Sequence, residues 1–82
     1  MSSLTTIVTL VNRVLNVQAT TDNKSAWMPE KYDNKALHAM ANTLVETGEV
    51  RAQSTSSFQD GIVFLMYDDI CFSIDRNGRI WA

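Results

Sequence analysis

One cysteine, one proline, one histidine and three glycines are all that 82 residues contain of these types, and each shortage closes off a class of function. A lone Cys71 cannot form an internal disulfide, and without a CxxC pair or a Cys/His cluster the chain offers no zinc ligand set, so no metal is expected. Three glycines, each placed where a turn or helix end wants one, leave no glycine-rich phosphate loop and hence no nucleotide cofactor. His38 and Cys71 are single copies, and a nucleophile, a base and a residue to orient the base cannot be assembled from them by spacing. The reading is therefore a non-enzyme with no cofactor and no small-molecule substrate.

Clustered positive charge is missing as well. Seven Lys and Arg are scattered among nine Asp and Glu, for a net charge of −2. A surface that tracks phosphates needs grouped cations, so DNA and RNA are not expected as partners. Nine acids offset by seven bases are equally far from the dense carboxylate field of a nucleic-acid mimic. No apolar run is long enough to cross a bilayer, because Thr5, Thr6, Thr9, Asn12 and Arg13 interrupt the most hydrophobic stretch, and the start Met1-Ser2-Ser3-Leu4 lacks a basic region. Neither a membrane span nor a signal peptide is expected, and the chain reads as cytoplasmic.

What is present is an ordinary globular composition, with 45% hydrophobic and 20% charged residues. At this length there is room for one core, so residues 1–82 are expected to form a single domain. Residues 4–17 carry the clearest pattern. At 100° per residue Leu4, Ile7, Val8, Leu10, Val11, Val14, Leu15 and Val17 fall on one half of a helical wheel, with the polar residues on the other. The doublets Ile7-Val8 and Leu10-Val11 break strand alternation and suit a helix, for which Ser2 or Ser3 can serve as N-cap. Residues 18–32 are polar except for Trp27-Met28-Pro29 and read as a loop. Asp33 or Asn34 then caps a second helix running to about Thr47, with Gly48 suited to the left-handed position after it.

From Glu49 the period falls to two, predicting strands near 49–55, 62–67, 70–75 and 79–82. The fold class is thus α+β, two helices on one face of a three- to four-stranded antiparallel meander in the order α-α-β-β-β-β. Asp75-Arg76-Asn77-Gly78-Arg79 suits a type I turn with a glycine bulge, which sets Asp75 against Arg79 and Ile74 against Ile80. With Asp68-Asp69 as the other hairpin tip, Tyr67 pairs with Ile70, Leu65 with Phe72 and Val63 with Ile74. One face then gathers Val63, Leu65, Tyr67, Ile70, Phe72, Ile74 and Ile80 as the floor for the helices.

The other face collects Ile62, Phe64, Met66, Cys71, Ser73 and Trp81, more apolar than a solvated face should be. Its expected cover is the 18–32 loop, a second copy of the chain, or a different protein. Among residues that could carry chemistry, His38 reads as a boundary histidine, hydrogen-bonded or half-exposed, and Cys71 as a small apolar filler. Asp68-Asp69 and Asp60-Gly61 read as turn residues. Trp27 and Trp81 read either as core aromatics or as interface anchors, a composition typical of binding hot spots.

These features predict a non-enzymatic protein-binding module, an accessory or inhibitor protein of bacterial or phage type, docking through Trp27, Met28, Phe64, Met66 and Trp81. The alternatives are a homo-oligomer, such as a homodimer, that uses the same face on itself, and a winged-helix-like transcriptional regulator. The last needs three helices and a basic face, where the pattern supplies two helices and neither is basic.

Overall fold

The computed structural model describes residues 3–22 and 25–82. The first helix, α1, spans Ser3–Leu15 and buries Ile7, Val8, Leu10 and Val11, the centre of the apolar stripe. It stops two residues short of the expected end because Asn16 adopts a left-handed backbone (φ 53°), a position asparagine tolerates. The side chain of Asn12 then accepts a hydrogen bond from the Ala19 N–H at 2.8 Å, steering the chain off the helix. Of the two capping candidates, Ser2 lies outside the described residues and Ser3 is the first helical residue.

The second helix, α2, spans Asn34–Glu46. Asp33 is its N-cap, accepting from the Ala36 N–H at 2.7 Å, and Gly48 takes the left-handed position (φ 81°) after it. Leu37, Met40, Ala41 and Leu44 form its buried face. α2 lies over the last two strands of the sheet's spatial order, at one edge, and α1 packs against α2 and over the opposite side of the same face.

The sheet is larger than the meander expected from sequence. Its seven strands are β1 (Thr20–Thr21), β2 (Ala26–Trp27), β3 (Val50–Ala52), β4 (Phe58–Gln59), β5 (Ile62–Tyr67), β6 (Ile70–Asp75) and β7 (Arg79–Trp81). All pairings are antiparallel in the order β1-β2-β7-β6-β5-β3, with β4 also pairing β5. Two departures account for the difference. Residues 18–32, expected as a loop, supply the hairpin β1–β2, which adds to the sheet beside β7, so strands also lie between the two helices in chain order. The strand expected over 49–55 is split into β3 and β4 by a serine-rich excursion. Phe64 of β5 bridges the break, its carbonyl accepting from the Gln53 N–H (3.2 Å) and its N–H donating to the Ser57 carbonyl (3.0 Å). Ser57 is buried, and its hydroxyl oxygen accepts from the Ser54 N–H at 2.7 Å, so the excursion satisfies its own backbone.

The central register is the one the turns dictate. Tyr67 pairs with Ile70, Leu65 with Phe72, Val63 with Ile74 and Ile74 with Ile80. Val63, Leu65, Phe72, Ile74 and Ile80 are buried under the helices, and Tyr67 and Ile70 pack at the margin of the core. Gly78 closes the β6–β7 turn with φ 86°, its N–H donating to the Asp75 carbonyl at 3.0 Å. It is also a point of close approach, since a Cβ there would lie 2.6 Å from the Glu30 carbonyl oxygen. Beside it, the Met28 N–H donates to the Gly78 carbonyl (2.7 Å) and the Tyr32 N–H to the Arg76 carbonyl (2.8 Å), which fastens residues 28–32 along the turn. Among the described residues no helix is long and apolar enough to cross a membrane.

Candidate functional site

Strand alternation decides what the far side of the sheet carries, because both helices occupy the near side. Ile62, Phe64 and Met66 of β5 point away from the core and are half-buried, Cys71 of β6 is exposed, and Ser73 lies between them. Trp27 and Trp81 stand on the same side and are the large hydrophobic side chains that remain exposed, at 41% and 44%. The described residues of the 18–32 segment do not cover this face. It joins the sheet as β1–β2, and its Met28 turns inward, where it is 5% exposed and belongs to the core. Met28 is therefore removed from the docking residues that the sequence suggested, while Trp27, Phe64, Met66 and Trp81 share one surface.

The two tryptophans are organised by Arg79. Trp27 sits directly across from Arg79 on the neighbouring strand, and Trp81 is two residues along the same strand, so the three side chains rise from one face. The Arg79 guanidinium carbon lies 3.8 Å from the centroid of the Trp81 ring and 5.7 Å from that of Trp27. Asp75 fixes the outer indole: one carboxylate oxygen accepts from Trp81 Nε1 at 3.2 Å, and the other accepts from the backbone N–H groups of Asn77 and Arg79. The charge pairing of Asp75 with Arg79 expected from the register is thus replaced. The carboxylate serves the turn and the indole, and the guanidinium stacks on the rings, an attraction worth roughly 0.5–2 kcal/mol per contact.

Arg79 donates weakly to the Ser25 hydroxyl (3.4 Å), and its buried Nε has no hydrogen-bond partner among the described residues. At the opposite corner of the face, Arg51 pairs with Met66 across the ladder and its guanidinium rests on the Met66 sulfur at 3.5 Å. The ion pair found among the described residues joins Arg13 to Glu49 elsewhere, two N–H···O contacts of 3.1 Å each that tie α1 to the start of β3. That hydrogen bond, and then the Glu49 charge, raise the Arg13 pKa above its ordinary value. Arg51 was not singled out from sequence, and Arg79 was named only for the turn, as the register partner of Asp75. The available signal was alternation: Arg79 is two residues from Trp81, so any register that exposes one exposes the other.

The remaining candidates make the following contacts. The His38 ring nitrogen Nε2 lies 2.9 Å from the Gln59 carbonyl oxygen, and the ring packs tilted against Phe58 at 5.5 Å. Asp68 adopts φ 53° in the two-residue β5–β6 turn, and Gly61 φ 88° in the β4–β5 turn. Asp60 accepts a hydrogen bond from the Asn34 side chain, whose oxygen accepts from the Gly61 N–H, locking the start of α2 to that turn. Cys71 lies on the outward face where the register set it, and it is exposed there rather than serving as a buried apolar filler. No group of three or more His, Cys, Asp or Glu residues among the described residues is arranged to hold a metal ion. A groove of about 210 Å³ beside α1 is lined by Thr6, Thr9, Leu10, Arg13 and Tyr67, and its one full charge is already engaged by Glu49.

Comparison with protein-family models, with curated proteins and with solved structures finds no match to this chain.

Proposed function

We propose that this chain is a non-enzymatic protein-binding module whose docking surface is the sheet face bearing Trp27, Phe64, Met66 and Trp81. The observation that carries the reading is that both tryptophans of the chain are exposed on one sheet face, the face without helices. A domain of this size has every energetic reason to bury its aromatics, since each buries 150–250 Å² when enclosed. The Trp81 indole, stacked on Arg79 and hydrogen-bonded to Asp75, is pre-ordered, so a partner that covers it meets little side-chain entropy cost there. Aromatic and arginine anchors surrounded by half-buried apolar neighbours are also the usual make-up of a binding hot spot. A short acidic binder without enzymatic apparatus suits an accessory or inhibitor role of bacterial or phage type, and an exposed single thiol suits a reducing compartment such as the cytoplasm.

The test is affinity capture from native lysate with three baits: wild type, the double variant Trp27→Ala/Trp81→Ala, and Asn42→Asp on the exposed side of α2 as a control. The expected result is a partner held by wild type and control and lost by the double variant at unchanged helical and sheet content. Equal recovery of every bound protein by a folded double variant would sink the proposal.

A further inference from the structure

The charge on this face points to the kind of partner. We infer that the docking surface selects an acidic protein segment, one that sets carboxylates over Arg51 and Arg79 and an apolar stretch between them; this rests on the docking reading above. In a chain of net charge −2, the open face carries two guanidiniums that have no carboxylate partner among the described residues. One stacks on Trp81 and the other lies on the Met66 sulfur. Asp75, the carboxylate beside Arg79, has both oxygens occupied by the Trp81 indole N–H and two backbone N–H groups. Both cations therefore retain donors for an incoming carboxylate, and the Nε of Arg79 is already stripped of water without a bond in return.

The geometry sets a spacing. Three inter-strand steps separate β3 from β7, about 14 Å, and the registers displace Arg51 from Arg79 by about four residues along the strands, so the two charges lie roughly 20 Å apart across the apolar centre. An extended segment of about six or seven residues spans that distance. A second copy of the chain fits less well, because a two-fold pairing of this face with itself brings two positive fields together. Single-stranded nucleic acid fits less well too. Two cations do not make a backbone track, and the Trp81 ring face that a base would use is taken by Arg79.

A displayed library of random peptides, selected on the wild-type chain and depleted on Phe64→Asp, supplies probes that need this face. The expected outcome is enrichment of Asp and Glu flanking aliphatic or aromatic residues. Synthetic versions should lose about tenfold in affinity in Arg51→Glu, and again with rising salt. Arg51 is exposed, so the variant keeps the fold; Arg79→Lys, which keeps the charge and loses the stacked fork, should weaken the same peptides less. Face-dependent peptides that are neutral or basic and indifferent to Arg51→Glu would overturn the acidic preference and leave the docking reading standing. Failure to enrich any face-dependent peptide would overturn both. A dimer in sedimentation equilibrium that Phe64→Asp disperses, or tight face-dependent binding of an oligothymidylate, would replace the acidic segment with a second copy or a nucleic acid.

Discussion

Gly78 carries more of the fold than its size suggests. Its φ of 86° is strained for any L side chain, and the 2.6 Å that a Cβ would leave to the Glu30 carbonyl puts backbone against backbone. Gly78→Ala should cost about 2–4 kcal/mol, combining the left-handed penalty with a forced shift of residues 28–32. Urea denaturation checks it, and a loss under 1 kcal/mol would mean that the segment yields freely. Asp33 works more locally. Asp33→Ala removes the acceptor for the Ala36 N–H and should cost about 1 kcal/mol, whereas Asp33→Ser should restore most of it. Tyr32 adds a pH dependence: burial first, and then the nearby Glu30 charge, raise its phenol above the ordinary value of 10.0. The folded state holds that proton more tightly than the unfolded chain, so its contribution is intact below about pH 10 and is lost as pH rises through the folded value. Tyr32→Phe should flatten the decline in melting temperature on that alkaline limb.

At the scale of elements, Met28 and Trp27 are neighbours with opposite duties. Met28→Ala opens a hole in the core and should cost about 2–4 kcal/mol, while Trp27→Ala should cost less than about 1.5 kcal/mol, confined to the lost stacking on Arg79. Thermal unfolding of the two variants separates them, and similar losses would contradict the assigned directions of β2. The two helices, the long hairpin β5–β6 and the β6–β7 turn were legible in the sequence because each has a period, a cap or a turn residue that competes with nothing else. Asp33 and Gly48 bracket α2, and Asp75 to Gly78 force one register. The hairpin β1–β2 was not legible, because two-residue strands have no measurable alternation and exist only because β7 offers them an edge. The interruption between β3 and β4 was hidden for a similar reason: Ser54–Ser57 bond among themselves and to Phe64, an arrangement that polar composition alone does not distinguish from a strand end. Phe64, Met66 and Trp81 were found on the right face once the register was known. The same register puts Arg79 on that face, but its role was not legible, since it depends on Trp27 arriving from a segment without periodicity of its own.

For the molecule as a whole, asymmetry is the organising fact. One sheet face is closed by α1 and α2 over Leu65, Ile74 and Ile80, and the other is left without helices, with its aromatic side chains propped by charge. The open face is expected to be accessible in the free chain rather than folded shut by the chain's own residues. Acrylamide quenching of tryptophan fluorescence, read on Trp27→Phe and Trp81→Phe at a concentration where the chain is monomeric, tests this most directly. Red-shifted emission and ready quenching are expected from each remaining indole. Blue-shifted emission with strong protection in both variants would contradict it, because the chain would then be covering the very face on which its function is placed.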